Sequence, residues 1–218
     1  MKKTRIRLCI AALLLTAFAL WTAALLCVDV QPIGPMGSSV GLAALNGGFH
    51  RLTGVHMALY AVTDWLSLIP VALALGFAAL GLAQWIRRGS IAKVDRSLLT
   101  LGGFYATVAA AYLLFEEAAV NFRPVLIEGR LEASYPSSTT LLVLCIVPTA
   151  AMQLHGRIRR AALRRGCVGA LTAFAALMVA ARLVSGVHWL TDVIGGMLLS
   201  GGLVMLYRAG CGETGRQA

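Results

Sequence analysis

Six stretches of nearly uninterrupted apolar residues divide the chain, at about Leu8–Val28, Met57–Trp85, Leu98–Phe115, Ser138–Leu154, Cys167–Leu183 and Leu190–Tyr207. Each is near the ~20 residues that a helix needs to cross the hydrocarbon of a bilayer. The pattern predicts an all-α polytopic membrane protein, a bundle of six transmembrane helices forming a single membrane domain over residues 1–218. Between the first two stretches, residues 29–56 begin rich in Gly and Pro and then read "VGLAALNGGFH", which predicts a short helix lying at the interface. Residues 116–137 form the most polar non-basic segment of the chain, and Ser185–Trp189 is a short link.

Composition agrees with the pattern. The 218 residues are 59% hydrophobic and only 13% charged, and the mean hydropathy of +0.80 is far from that of a soluble domain. A net charge of +10 could point to nucleic acid, so the placement of the basic residues decides its meaning. Lys2, Lys3, Arg5 and Arg7 precede the first span; Arg87, Arg88, Lys93 and Arg96 lie between the second and third; Arg157, Arg159, Arg160, Arg164 and Arg165 lie between the fourth and fifth; Arg208 and Arg216 follow the sixth. With six spans all of these fall on one side, which by the positive-inside rule is the cytoplasm. The basicity is thus a topology signal, and no nucleic-acid partner is expected. The expected location is a bacterial cytoplasmic membrane with both termini cytoplasmic. The basic, then apolar N-terminal stretch also has the layout of a signal peptide, but its length and the lack of a clear small-x-small site favour an uncleaved span. The five cysteines and four histidines show no metal-ligand spacing, so no metal is expected.

Arg51, Arg123, Arg130 and Arg182 are left for the opposite face, where no topological rule calls for them. Arg182 belongs to "ARLVSGVHWLTDVIGG", which also carries His188 and Asp192. On an unbroken helix Arg182 and His188 point apart. If Ser185-Gly186 breaks the helix and a new one begins near Val187, Asp192 stacks one turn from His188, where its carboxylate can accept the proton of one ring nitrogen and leave the other as a nucleophile or base. The plainer reading is polar residues snorkelling at helix ends, with Trp189 in an aromatic belt. That reading suits Trp189, but ionisable groups near a bilayer are costly and tend to mark function.

In "YPSSTT", Pro136 and Ser137 make a good helix start, and the same geometry gathers unpaired N–H groups into an anion site. Arg123, alone a solvated loop residue, could with Arg182 form two forks around a phosphate. Glu116 and Glu117 could act as proton-donating carboxyls near the site, but read rather as interfacial carboxylates ending the third span or pairing with Arg123; Asp64 reads as a bundle-facing polar contact.

In this order and spacing the three segments resemble the three motifs of the type 2 phosphatidic acid phosphatase family, six-helix membrane enzymes that act without metal. The family's patterns are Lys-x6-Arg-Pro, Pro-Ser-Gly-His and Ser-Arg-x5-His-x3-Asp. This chain keeps Arg123 and Pro124 of the first, Pro136 and Ser137 of the second, and Arg182, His188 and Asp192 of the third. The motifs run from about residue 116 to 192, with a family-like core of about 57–207. The resemblance implies a membrane phosphatase without a cofactor, whose partners are a phosphorylated lipid substrate and the surrounding lipids. Arg123, Ser137 and Arg182 would hold phosphoryl oxygens at the extracytoplasmic face, His188 would attack phosphorus to form a phosphohistidine, and Asp192 would orient the ring; Pro136, Ser138, Thr139, Glu116 and Glu117 are possible supporting residues.

Glu116 stands where the family has Lys, Ser138 where it has Gly, Thr139 where it has His, and Ala181 where it has Ser. The missing histidine is the family's general acid, a group that contributes about 10²–10⁴-fold. An alkoxide leaving group depends on such an acid, whereas expelled phosphate is already a stable anion, so a polyprenyl diphosphate is the favoured substrate. A lipid phosphotransferase and a non-catalytic lipid-phosphate binder are the other readings of the same residues.

Overall fold

A computed structural model describes residues 2–211; Arg216, counted above with the cytoplasmic cluster, lies outside them. The architecture is all-helical. The first span is α1 (Lys2–Cys27), and the short helix expected between the first two spans is α2 (Ala43–Thr53). The second span comprises α3 (Met57–Leu66) and α4 (Leu68–Arg88), which adjoin at Ser67. Then follow α5 (Arg96–Ala118), α6 (Ser138–Arg157), α7 (Ala161–Val184) and α8 (Leu190–Gly210). The protein is an integral membrane protein with six helices of spanning length and composition among the described residues.

The fourth and sixth spans, α6 and α8, are the most buried and form the centre of the bundle. Helix α8 packs along α1, while α6 is flanked by α7, α8, α4 and α5. Phe18 and Leu25 of α1, Leu101, Phe104 and Val108 of α5, Leu141 and Cys145 of α6, and Leu199, Leu203 and Tyr207 of α8 make one core. Without water to drive helices together inside a bilayer, close packing at small residues carries the association. At Gly195 a Cβ would come within 2.4 Å of the Tyr135 ring, so the start of α8 can approach that ring only as glycine. Many large apolar side chains elsewhere, such as Leu13, Leu20, Val62, Leu113 and Leu177, are exposed, as a lipid-contacting surface would be.

Helix polarity sorts the ends of the bundle. The C-termini of α5 and α7 and the N-termini of α6 and α8 meet at one end. At the other, the Arg7 guanidinium donates to the Arg208 carbonyl at 2.8 Å, joining two of the basic clusters.

Three short connections close the first end. Residues 121–134 fold into a hairpin: Ser134 N–H donates to the Asn121 carbonyl at 2.8 Å, Phe122 and Ala133 form an antiparallel bridge, and Arg123 N–H donates to the Glu132 carbonyl at 3.0 Å. Its tip is the two-residue loop Glu128-Gly129, with φ of 50° and 75°, the left-handed pair that matches strand twist in a tight hairpin. Helix α2 is clamped to the start of α8 by Asn46, whose side chain donates to Thr191 Oγ1 at 2.9 Å and accepts from Thr191 N–H at 3.2 Å. The α7–α8 link turns at Gly186, whose φ is 68° and where a Cβ would fall 1.9 Å from the Gly54 carbonyl oxygen. A Gly186→Ala chain should therefore lose about 2 kcal/mol or more of stability, since both left-handed strain and a backbone clash oppose it. The melting temperature of the purified protein in detergent checks this.

Candidate active site

The hairpin, the last turn of α7, the α7–α8 link and α3 bring Arg123, Arg182 and His188 together. His188 is 3% exposed. Its Nε2 lies 3.4 Å from Nη1 of Arg123, and its Nδ1 lies 3.0 Å from Oγ of Ser134. Arg182, 1% exposed, pairs through Nη2 with Oδ1 of Asp64 at 3.0 Å, while its Nε and Nη1 are buried without a hydrogen-bond partner. Arg123 pairs through Nε with Oε2 of Glu132 at 3.0 Å. Both guanidiniums lie over the ring of Tyr60, at 5.7 Å for Arg123 and 4.9 Å for Arg182. An aromatic face attracts each cation, which offsets part of the repulsion between two positive groups held side by side.

Asp192 is fully buried, and its carboxylate collects three donors. Ser134 Oγ–H donates to Oδ2 at 2.5 Å, Trp189 N–H to Oδ2 at 2.9 Å, and Asn121 Nδ2–H to Oδ1 at 3.3 Å. Here the geometry differs from the expectation. Helix α8 begins at Leu190, not near Val187, because Trp189 is extended with ψ of 153° and occupies the cap position. His188 therefore precedes the helix, and its Nδ1 stands 3.9 Å from Oδ2 of Asp192, beyond hydrogen-bond length. Trp189 is not a belt residue: it is buried, and its Nε1–H donates to the Phe122 carbonyl at 2.8 Å.

The second motif is placed as a helix start. Ser137 caps α6, accepting from Thr140 N–H at 3.5 Å and from the Thr140 hydroxyl at 3.0 Å, and its own N–H donates to the Asp192 carbonyl at 3.0 Å. The hydroxyl that meets the imidazole is that of Ser134, three residues earlier. Pro136 is buried behind a cis peptide bond to Tyr135, and Thr139 is buried in the first turn of α6. Glu116, at the end of α5, lines a small void with Ser134, Pro136 and Ser138; Glu117 is exposed. Neither is the partner of Arg123, which pairs with Glu132. Ser134, Asn121 and Tyr60 escaped the sequence reading. The Gly129 turn between two apolar-polar segments was the one available signal for the hairpin.

Burial holds the His188 imidazole well below its ordinary value of 6.5, and the charges of Arg123 and then Arg182 act in the same direction. The ring is thus neutral at neutral pH, and a neutral imidazole beside two guanidiniums can attack an anionic centre such as a phosphoryl group.

The PAP2 superfamily profile matches residues 104–211 of the chain. The chain belongs to the PAP2 superfamily. The matched region of this PAP2 chain contains the hairpin, the start of α6 and the whole α7–α8 link, whereas Tyr60 and Asp64 of α3 lie outside it. Its fold is similar to the crystal structure described as the first transmembrane PAP2 type phosphatidylglycerolphosphate phosphatase from Bacillus subtilis. That match has a TM-score of 0.57 and 18% identity, and covers 95% of this chain and 97% of that one. No curated protein sequence matches the chain.

Proposed function

We propose that this PAP2 chain is a membrane lipid-phosphate phosphatase that works through His188, without metal, at the extracytoplasmic face. One observation carries the reading: the neutral, buried imidazole lies against Arg123 while the buried Arg182 beside it holds two N–H donors with no partner. A buried unpaired donor is costly, and an incoming phosphoryl group would satisfy it. In the reaction, the Nε2 lone pair forms the N–P bond as the bond from phosphorus to the leaving oxygen breaks. Arg123 and Arg182 hold the charge on the equatorial oxygens. Water then attacks phosphorus, the N–P electron pair returns to Nε2, and inorganic phosphate leaves. Asp192 and the first turn of α6 support the loop geometry around the ring.

The favoured substrate is a polyprenyl diphosphate, because Thr139 offers no general acid to an alkoxide leaving group. The Bacillus subtilis protein is described as acting on phosphatidylglycerolphosphate, a monoester, so substrate choice is the point to test. Phosphate release from undecaprenyl diphosphate, phosphatidic acid and phosphatidylglycerolphosphate should be compared with and without a chelator. Faster cleavage of the diphosphate, unaffected by the chelator, is expected; equal rates on phosphatidic acid would overturn the substrate assignment, and no release from any of them would overturn the enzymatic reading. Sidedness follows from the basic clusters at the other end of the bundle, and a membrane-impermeant thiol reagent acting on a cysteine introduced at Glu128 should label intact cells.

Two further outcomes follow from the site. Only the neutral ring attacks, and its folded pKa lies below 6.5, so kcat/KM should stay level as pH falls through 6.5 and decline only at more acid pH. The same shift makes stability fall over that interval, because below 6.5 the unfolded ring takes a proton that the folded one refuses. An acid limb centred above that value would contradict the geometry. For the aromatic platform, Tyr60→Leu should raise KM about tenfold by loosening both guanidiniums, while Tyr60→Phe should keep it near the parent value.

A further inference from the structure

The contact between His188 and Asp192 is indirect, and this assigns a task to a residue outside the motifs. Ser134 lies between them, 3.0 Å from Nδ1 of the imidazole and 2.5 Å from Oδ2 of the carboxylate, and is itself buried. Proton counting fixes the direction of this chain. The Asp192 carboxylate already receives donors from Trp189 and Asn121 and, when ionised, can only accept. The hydroxyl has a single proton, which goes to Asp192. Its lone pair therefore faces the ring, and Nδ1 must bring the hydrogen. A neutral imidazole protonated at Nδ1 has its lone pair on Nε2. The opposite side of the ring agrees, since Nη1 of Arg123, 3.4 Å from Nε2, can only donate.

We propose that Ser134 is the positioning residue of the site: its hydroxyl relays the Asp192 carboxylate to Nδ1 of His188, so that the Nε2 lone pair is the one presented to phosphorus. The proposal rests on the reading of His188 as the nucleophile. When Nε2 bonds to phosphorus the ring becomes cationic and keeps its Nδ1 hydrogen, and the Ser134–Asp192 chain lies along the direction in which that charge is stabilised. No proton has to move through the serine, and no further reactant is needed. The hairpin sets the hydroxyl in place, because Ser134 N–H is tied to the carbonyl of Asn121, whose side chain in turn donates to Asp192. Arg123 on the facing strand and Ser134 thus hold the two ring nitrogens from one hairpin.

Parent, S134A, S134T and H188A proteins, purified in detergent, test this with undecaprenyl diphosphate as substrate and with ¹⁵N signals of the His188 ring. S134A is expected to lose about 10²-fold in kcat with KM little changed, less than the roughly 10⁴-fold seen when a catalytic histidine is forced into the wrong tautomer. S134T, which keeps the hydroxyl, should recover most of that loss. The ring signals should show a proton on Nδ1 in the parent and S134T proteins, and a mixture of tautomers in S134A. Unchanged ring signals in S134A, parental kcat in S134A, or an S134T protein no better than S134A would each overturn the assignment. H188A separates the two levels: if it still releases phosphate, the nucleophile reading fails; if it is inactive while S134A matches the parent, only the role of Ser134 fails.

Discussion

His188→Ala is expected to remove phosphate release altogether, a loss of at least about 10⁴-fold that leaves no step for the remaining groups to rescue. The size follows from what the imidazole supplies. It is the neutral ring nitrogen placed against Arg123, and without it water would have to attack the terminal phosphorus directly in a site shaped for a ring. The charge-binding half should survive, because Arg123 keeps Glu132 and Tyr60 while Arg182 keeps Asp64 and Tyr60. The variant should therefore still bind the substrate, and a binding measurement with the intact lipid should differ little from that of the parent. Brief incubation of the parent with terminally labelled diphosphate lipid, followed by denaturation in alkali, should trap label on the protein as phosphohistidine, and H188A should carry none. Release by H188A at more than a few per cent of the parental rate would remove His188 from the chemistry.

What could be read from the sequence and what could not divide along a physical line. Spans are a property of composition over ~20 residues, so all six were legible, with ends displaced by a few residues such as Lys2 for Leu8 and Ala161 for Cys167. Charges inside apolar runs stand out for the same reason, and Arg182, His188, Asp192 and Asp64 were visible before any fold was known. The helix start at Leu190 was misplaced because Gly186 and the extended Trp189 postpone it, and that depends on the loop docking against Gly54 and Phe122. Ser134 and Asn121 carry side chains that any loop can contain; only the pairing of the two hairpin strands gives them meaning. Tyr60 is an aromatic residue in an apolar helix and gains a role only when two arginines from distant segments reach its face.

Thr139→His is expected to change which lipids are cleaved rather than whether any is. In this chain the residue at that position follows the cap of α6 by two places and is buried in the first helical turn. An imidazole there would bring a proton that Thr cannot give near neutral pH. For phosphatidic acid the departing group is an alkoxide, whose basicity is comparable to that of hydroxide from water with a pKa near ~15.7, so protonation is worth the full general-acid effect. For a diphosphate the departing group is a phosphate whose second pKa is near ~6, and it leaves as a stable anion with little help. General acids contribute about 10²–10⁴-fold, equivalent to roughly 3–5 kcal/mol of barrier. Cleavage of phosphatidic acid should accordingly rise by about 10²-fold or more in the variant, while cleavage of undecaprenyl diphosphate stays close to the parental rate. A competition assay with both lipids in one detergent micelle reads the ratio directly and cancels differences in protein amount. An unchanged ratio would mean that the leaving oxygen is protonated by some other group in the parent, and the preference for a diphosphate would then lose its chemical basis.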